Sequence, residues 1–323
     1  MPRVLYSADY ELYLGENLLP ETEVLVEPTW ALLDACEEAG VPITLFCDVA
    51  CIWRYRETGD HEFPAAVEDQ LREAIRRGHD VQAHLHPHWL HATRVDGRWT
   101  APLETFLVGS LGDPAPLLAQ AKTYLDDLLR PVDPSYACVA FRAGNYGIQP
   151  EHERVFAALV ETGYRVDSSV VPGLVLQNEV NRVDFRGWPE RSGPLHGVYE
   201  VPIPSARFGP VDAVRRRLGR RPARPARGTT IQAAAGARPS LRSRLFRLDI
   251  LELGPDPRRL RTITARYLRR VGTDVDFSFS CHPKAIGEPE LEALGAYVEW
   301  LRAEHGATAV TFRSLGGGGD RAA

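Results

Sequence analysis

Short apolar runs rich in β-branched residues recur along the chain, separated by longer stretches of helical period. This alternation constrains the fold more than any other feature, because repeated strand-helix units bury both faces of a parallel sheet. Strands are expected at 3–9, 41–48, 79–85, 136–142, 164–170, 197–203, 274–282 and 307–313, and helices at 27–39, 64–77, 114–130, 150–162, 256–270 and 288–305. The last helix has acidic residues in its first turn and Gly306 just past its end, where a left-handed cap would sit. Such a series closes either into a barrel or into a doubly wound sheet. The polar residues favour the barrel: Asp9, Asp48, His84, Arg142, Asp167 and His282 all fall at or near the C-terminal ends of expected strands, the rim on which barrel active sites form. The expectation is an α/β protein, a parallel barrel of 1–315 as one domain.

One stretch interrupts the alternation. An arginine-rich insertion at about 204–250 carries Asp212 as its only acid over 204–247. It reads as a solvated loop, or as a basic clamp for an anionic group such as phosphate. The closing 316–323, LGGGGDRAA in part, reads as a flexible tail. With 44% apolar and 25% charged residues the chain is ordinary for a globular protein, and a net charge of −5 argues against a general affinity for nucleic acid. The opening residues lack an apolar segment of signal-peptide length, and no window approaches about 18 uncharged apolar residues, so a cytoplasmic, non-spanning protein is expected. Oligomeric state is not legible. Cys36, Cys47, Cys51, Cys138 and Cys281 form no disulfide pattern and read as buried thiols.

The densest chemistry is GHDVQAHLHPHW, residues 78–89. His84, His86 and His88 crowd the end of a strand, and Pro87 keeps the segment from continuing as a helix. Neutral imidazoles ligate zinc and related ions, and a catalytic site needs a third ligand with positions left open. SADYEL supplies Asp9 and Glu11 at the end of the first strand. One carboxylate can bind metal while the other acts as general base.

SADYE, GHDVQAHLHPHW, FRAGNYG, YRVDSSV and FSCHPKAIG, in that order over about residues 3–313, resemble the sequential motifs of the polysaccharide deacetylase family, metal-dependent amide hydrolases on a distorted (β/α)7 barrel. The histidine motif and the late His-Pro are the specific parts. The resemblance implies Asp9 as catalytic base, His84 and His88 as metal-binding histidines, Arg142 orienting the base, His282 as general acid, and a backbone N–H near Asn145 as oxyanion donor. Asp167 matches the aspartate that tunes the acid histidine, although the local pattern fits poorly. Tyr10 stands where most members carry the metal-binding aspartate; a branch with acid-x-acid spacing makes Glu11 the ligand. The implied metal is divalent, with Zn2+ expected.

His86, Trp89, Asn145, Tyr146 and Asp48 are the expected substrate-side residues, Trp89 and Tyr146 offering rings to a sugar face. The expected activity is removal of an acetyl or formyl group from the amide nitrogen of a sugar or an intracellular sugar-containing intermediate, which the basic insertion hints is phosphate-bearing. The alternatives are a catalytically inactive barrel that binds a glycan or lipid-linked sugar, and a hydrolase of non-sugar C–N amides. A facial-triad iron oxygenase shares the two-histidine, one-carboxylate set but normally sits in all-β folds.

Overall fold

The computed structural model describes residues 1–13, 19–210 and 247–316. Nine strands form its main sheet: β1 (Arg3–Tyr10), β2 (Thr44–Asp48), β3 (Asp80–Leu85), β4 (Ala140–Ala143), β5 (Val166–Asp167), β6 (Gly193–Leu195), β7 (Val198–Glu200), β8 (Asp276–Cys281) and β9 (Thr308–Ala309). Their spatial order is β6-β7-β5-β4-β3-β2-β1-β8, with β9 also pairing β1, and every pair but β6–β7 is parallel. Between β7 and β8 the ladder is interrupted. There Ser278 N donates to Pro202 O (3.1 Å) and Leu253 N to Ser280 O (2.8 Å), so the sheet curls into a distorted barrel.

Helices α1 (Glu27–Glu38), α2 (Val49–Glu57), α3 (Glu62–Arg76), α4 (Ala115–Leu129), α5 (His152–Glu161), α6 (Pro257–Val271) and α7 (Glu288–His305) accompany these strands. α1, α3, α4, α5, α6 and α7 fall where the periodicity puts them. α2 is an addition: it begins directly after β2 and buries Val49, Cys51, Ile52 and Tyr55. The strand expected at 307–313 shortens to two residues, because the chain turns into a last helical turn, Phe312–Leu315. Phe312 is thereby buried against Phe46, edge to face at 4.9 Å.

The two faces of each strand explain the layering. Along β1, Val4, Tyr6 and Ala8 join the large core beneath the helices, whereas Leu5 joins Phe46, Ala140, Val166, Val201 and Phe312 in a separate apolar cluster. Above that plug lies a polar layer, in which Ser7 and Ser278 meet at 3.1 Å, and above the serines sits Asp9. The arginine-rich insertion starts and ends as an antiparallel pair, Ser205–Phe208 with Arg247–Ile250. The expected loop or clamp at 211–246 and the expected tail beyond 316 lie outside the described residues. All five cysteines are buried thiols, as expected. Among the described residues no helix is long and apolar enough to cross a membrane.

Candidate metal centre and active site

Arg142 anchors the centre. It is fully buried, with its guanidinium over the Phe46 ring at 4.1 Å. Nε donates to Ser168 O (3.1 Å), Nη2 to the hydroxyls of Ser7 (2.9 Å), Ser168 (3.1 Å) and Ser278 (2.8 Å), and Nη1 to Asp9 Oδ1 (2.5 Å). A fixed cation surrounded by neutral acceptors can aim only at that carboxylate. Burial pushes the Asp9 carboxyl up, but Arg142, His84 and His282 outweigh it and hold Asp9 below its ordinary value. Asp9 is thus an anion in a dry place.

Glu11, two residues on, faces the histidine strand. His84 Nε2 lies 3.0 Å from Glu11 Oε2, and His86 Nε2 touches the same oxygen. On its other side His84 Nδ1 is 2.9 Å from the Arg142 carbonyl. A carbonyl only accepts, so Nδ1 carries a hydrogen, and Nε2 is the ring atom that faces Glu11. This is the arrangement of a metal-ligating histidine whose second nitrogen is held by backbone. One donor atom from each of Glu11, His84 and His86 falls within 4.8 Å of the others, and all three residues are buried. The donor set, two imidazoles and one carboxylate, fits a divalent ion of the zinc type. Burial raises the cost of the Glu11 charge, yet Lys284, His86 and His84 overcome it and hold its carboxyl well below the ordinary value. Burial also disfavours a charged His86, but Glu11 reverses this and raises its pKa, so a metal ion bound there would have to displace a proton.

His88 does not join this group. Its two ring nitrogens are buried without partners, and the ring lies against His86 (5.0 Å between centroids) and Phe106 (4.4 Å). Burial, followed by the neighbouring His86, pushes its pKa down to about 2, so it stays neutral. His84 and His88 are the expected metal pair; the donors that cluster with Glu11 in the structure are those of His84 and His86. The reason is local: residues 84 and 86 share one face of extended chain, and Pro87 then opens a tight helical turn, Pro87–His91, that carries His88 aside. Gly144 makes room for the His86 ring, since a methyl there would lie 2.5 Å from His86 Nδ1.

His282 completes the rim. Its Nε2 is 3.6 Å from both Asp9 Oδ2 and Glu11 Oε1, while Nδ1 is 2.9 Å from Glu252 Oε1. Burial disfavours the imidazolium, but Glu252, Asp9 and Glu11 prevail and raise its pKa. Asp167, expected to tune His282, accepts instead from the Ser169 hydroxyl (2.8 Å) and N–H (3.0 Å) beside Glu200, and the carboxylate on His282 is that of Glu252. Trp89, expected to offer a ring to substrate, is 1% exposed and enclosed by Tyr55, Trp99 and His88. Asp48 is buried, takes the His86 N–H (3.2 Å) on Oδ1 and leaves Oδ2 without a partner. Asn145 and Tyr146 lie just past β4, both left-handed at φ 55° and 56° and both half-buried. Burial, then Glu252 and Asp9, keeps the Tyr146 hydroxyl protonated. Sequence reading missed Glu252 and Lys284. A carboxylate beside the insertion carries no motif, and Lys284 was legible only as part of HPKAIG.

The rim of this barrel joins a guanidinium-held carboxylate, a histidine-carboxylate cluster and a carboxylate-backed imidazole. No family model and no curated protein matches the chain. Among solved structures it is similar to a Mycobacterium smegmatis protein assigned as a polysaccharide deacetylase (TM-score 0.50, 15% identity, 98% of this chain and 88% of that one). It is also similar to the Puue allantoinase (TM-score 0.48, 13% identity, 98% and 89%) and to a family 4 carbohydrate esterase from Streptomyces lividans in complex with acetate (0.41, 11%, 95% and 91%). The fold is that of the polysaccharide deacetylases.

Proposed function

We propose that the protein is a metal-dependent hydrolase of the polysaccharide deacetylase type, one that removes an acetyl or formyl group from the amide nitrogen of a sugar-containing substrate. The observation that carries this reading is the convergence of Glu11, His84 and His86 on one point beside an anionic Asp9 and a carboxylate-backed His282. Glu11, His84 and His86 would hold the ion, with zinc as the best match to the donors. A bound divalent ion supplies Lewis acidity, which acidifies water and polarises a carbonyl.

The remaining chemistry belongs to the chain. Asp9, kept ionised and aimed by Arg142, takes the proton from the attacking water. His282, kept protonated by Glu252, gives a proton to the departing amine. Backbone near Asn145 is the oxyanion donor in this scheme, and the half-buried Tyr146 ring at the mouth is the surface for a sugar face. The products are a free amine and a small acid.

The test combines elemental analysis of the purified chain, of His84→Ala and of His86→Ala with amine release from N-acetyl and N-formyl amino sugars. About one zinc per chain, lost in both variants, together with amine release abolished in Asp9→Asn, is the expected result. A parent chain that binds no metal refutes the mechanism.

A further inference from the structure

Glu11 has two oxygens, and the cluster with His84 and His86 uses only Oε2. The other, Oε1, accepts from Lys284 Nζ at 2.7 Å. That ammonium is closely held. It also donates to Leu12 O (3.3 Å) and sits over the Tyr13 ring at 4.5 Å, while the Tyr13 hydroxyl donates to the Lys284 carbonyl (3.3 Å). The Lys284 side chain is 11% exposed, so swinging into solvent would abandon every one of these partners.

We infer that Lys284 is a tuning residue of the metal centre: it restricts Glu11 to one ligating oxygen and, as a fixed positive charge on the same carboxylate, weakens the hold on the ion so that it exchanges. This rests on the metal-site reading above. A glutamate carboxylate stands on a flexible two-methylene stem and, if free, could swing to offer both oxygens. Lys284 removes that option. Charge acts in the same direction. A divalent ion at Oε2 meets a like charge one carboxylate away, and half of the ligand's own charge is already answered. The site therefore binds less tightly than two histidines and a glutamate would alone.

Zinc affinity, measured on the full chain by competition with a chromophoric chelator, tests this. Lys284→Met should bind zinc about tenfold more tightly than the parent: outer partners change metal affinity on that scale, and the sign is reversed here because this partner is a cation beside the ion. Lys284→Gln, which keeps a donor for Leu12 O and Glu11 without the charge, should tighten binding too, but by less, and guards against a variant that misfolds. Zinc affinity equal to or weaker than the parent's in the folded variants overturns the inference. Zinc held through His84 but indifferent to Lys284 removes this inference alone. Zinc that binds the parent no better than His84→Ala removes the metal reading, and this inference with it.

Discussion

Gly144→Ala is the sharpest probe of the choice between His86 and His88. A methyl built on Gly144 would stand 2.5 Å from His86 Nδ1 and 2.6 Å from both Cε1 and Cγ, so it meets the face of the ring rather than one flexible end. Ordinary carbon contacts begin at about 3.5 Å, so the ring must retreat by about 0.9 Å. It cannot do so freely, because Nε2 is committed to Glu11 and the ring is also packed against those of His84 and His88. Gly144 is not among the glycines of positive φ, so alanine carries no backbone penalty there. The cost is that of overpacking, about 1–3 kcal/mol of stability. Displacing a ligand's ring should also lower zinc affinity about 10- to 100-fold. Gly147→Ala is the control: its methyl would meet Leu107 Cδ2 at 2.7 Å and the Gly144 carbonyl at 2.9 Å, not His86. It should lose stability and keep zinc. Chelator competition and urea unfolding on both variants give the answer. A folded Gly144→Ala chain with parental zinc affinity would refute His86 as a ligand.

Three further outcomes are expected. Glu252→Gln removes the charge that helps raise the His282 pKa, so the alkaline limb of the kcat/KM pH profile should move toward acid; an unmoved limb refutes Glu252 as the partner of the general acid. Glu200, whose pKa burial and then Asp167 push well above the ordinary value, keeps in the folded state a proton that the unfolded chain releases near the ordinary carboxylate pKa. Stability therefore falls as pH rises above that point and up through the folded value, and Glu200→Gln, which donates without titrating, should raise the urea midpoint at about pH 8 more than at about pH 5; equal shifts would contradict the assignment. Arg142→Met strands the Asp9 carboxylate without its counter-charge and should cost about 3–5 kcal/mol in urea unfolding, a loss of under about 1 kcal/mol being the contrary result.

How far the sequence reaches can be judged from particular residues. Alternating apolar runs specified the parallel strands, since burial on both faces leaves few other patterns. Polar residues at the strand ends brought Asp9, Glu11, His84, Arg142 and His282 to one rim, because a barrel sends all its parallel strands out at one end. What failed depended on a single turn or on distance along the chain. Spacing alone cannot say that Pro87 deflects His88 while His86 stays on the face of His84. Nor can it say that the carboxylate on His282 comes from position 252 rather than 167, since these residues meet only through closure of the barrel at its broken edge. Helix α2 was missed because its apolar residues follow β2 with no intervening turn signal.

The layering of the barrel interior carries one more consequence. Arg142 is gripped by hydroxyls on β1, β8 and the end of β5, and those strands stand on a floor of Leu5, Phe46 and Phe312. Asp9 is therefore mounted on the scaffold, not on the loops above it. Loops at the mouth can lengthen, shorten or change partners without moving this carboxylate, so under the proposed function substrate choice and proton abstraction would be separately adjustable.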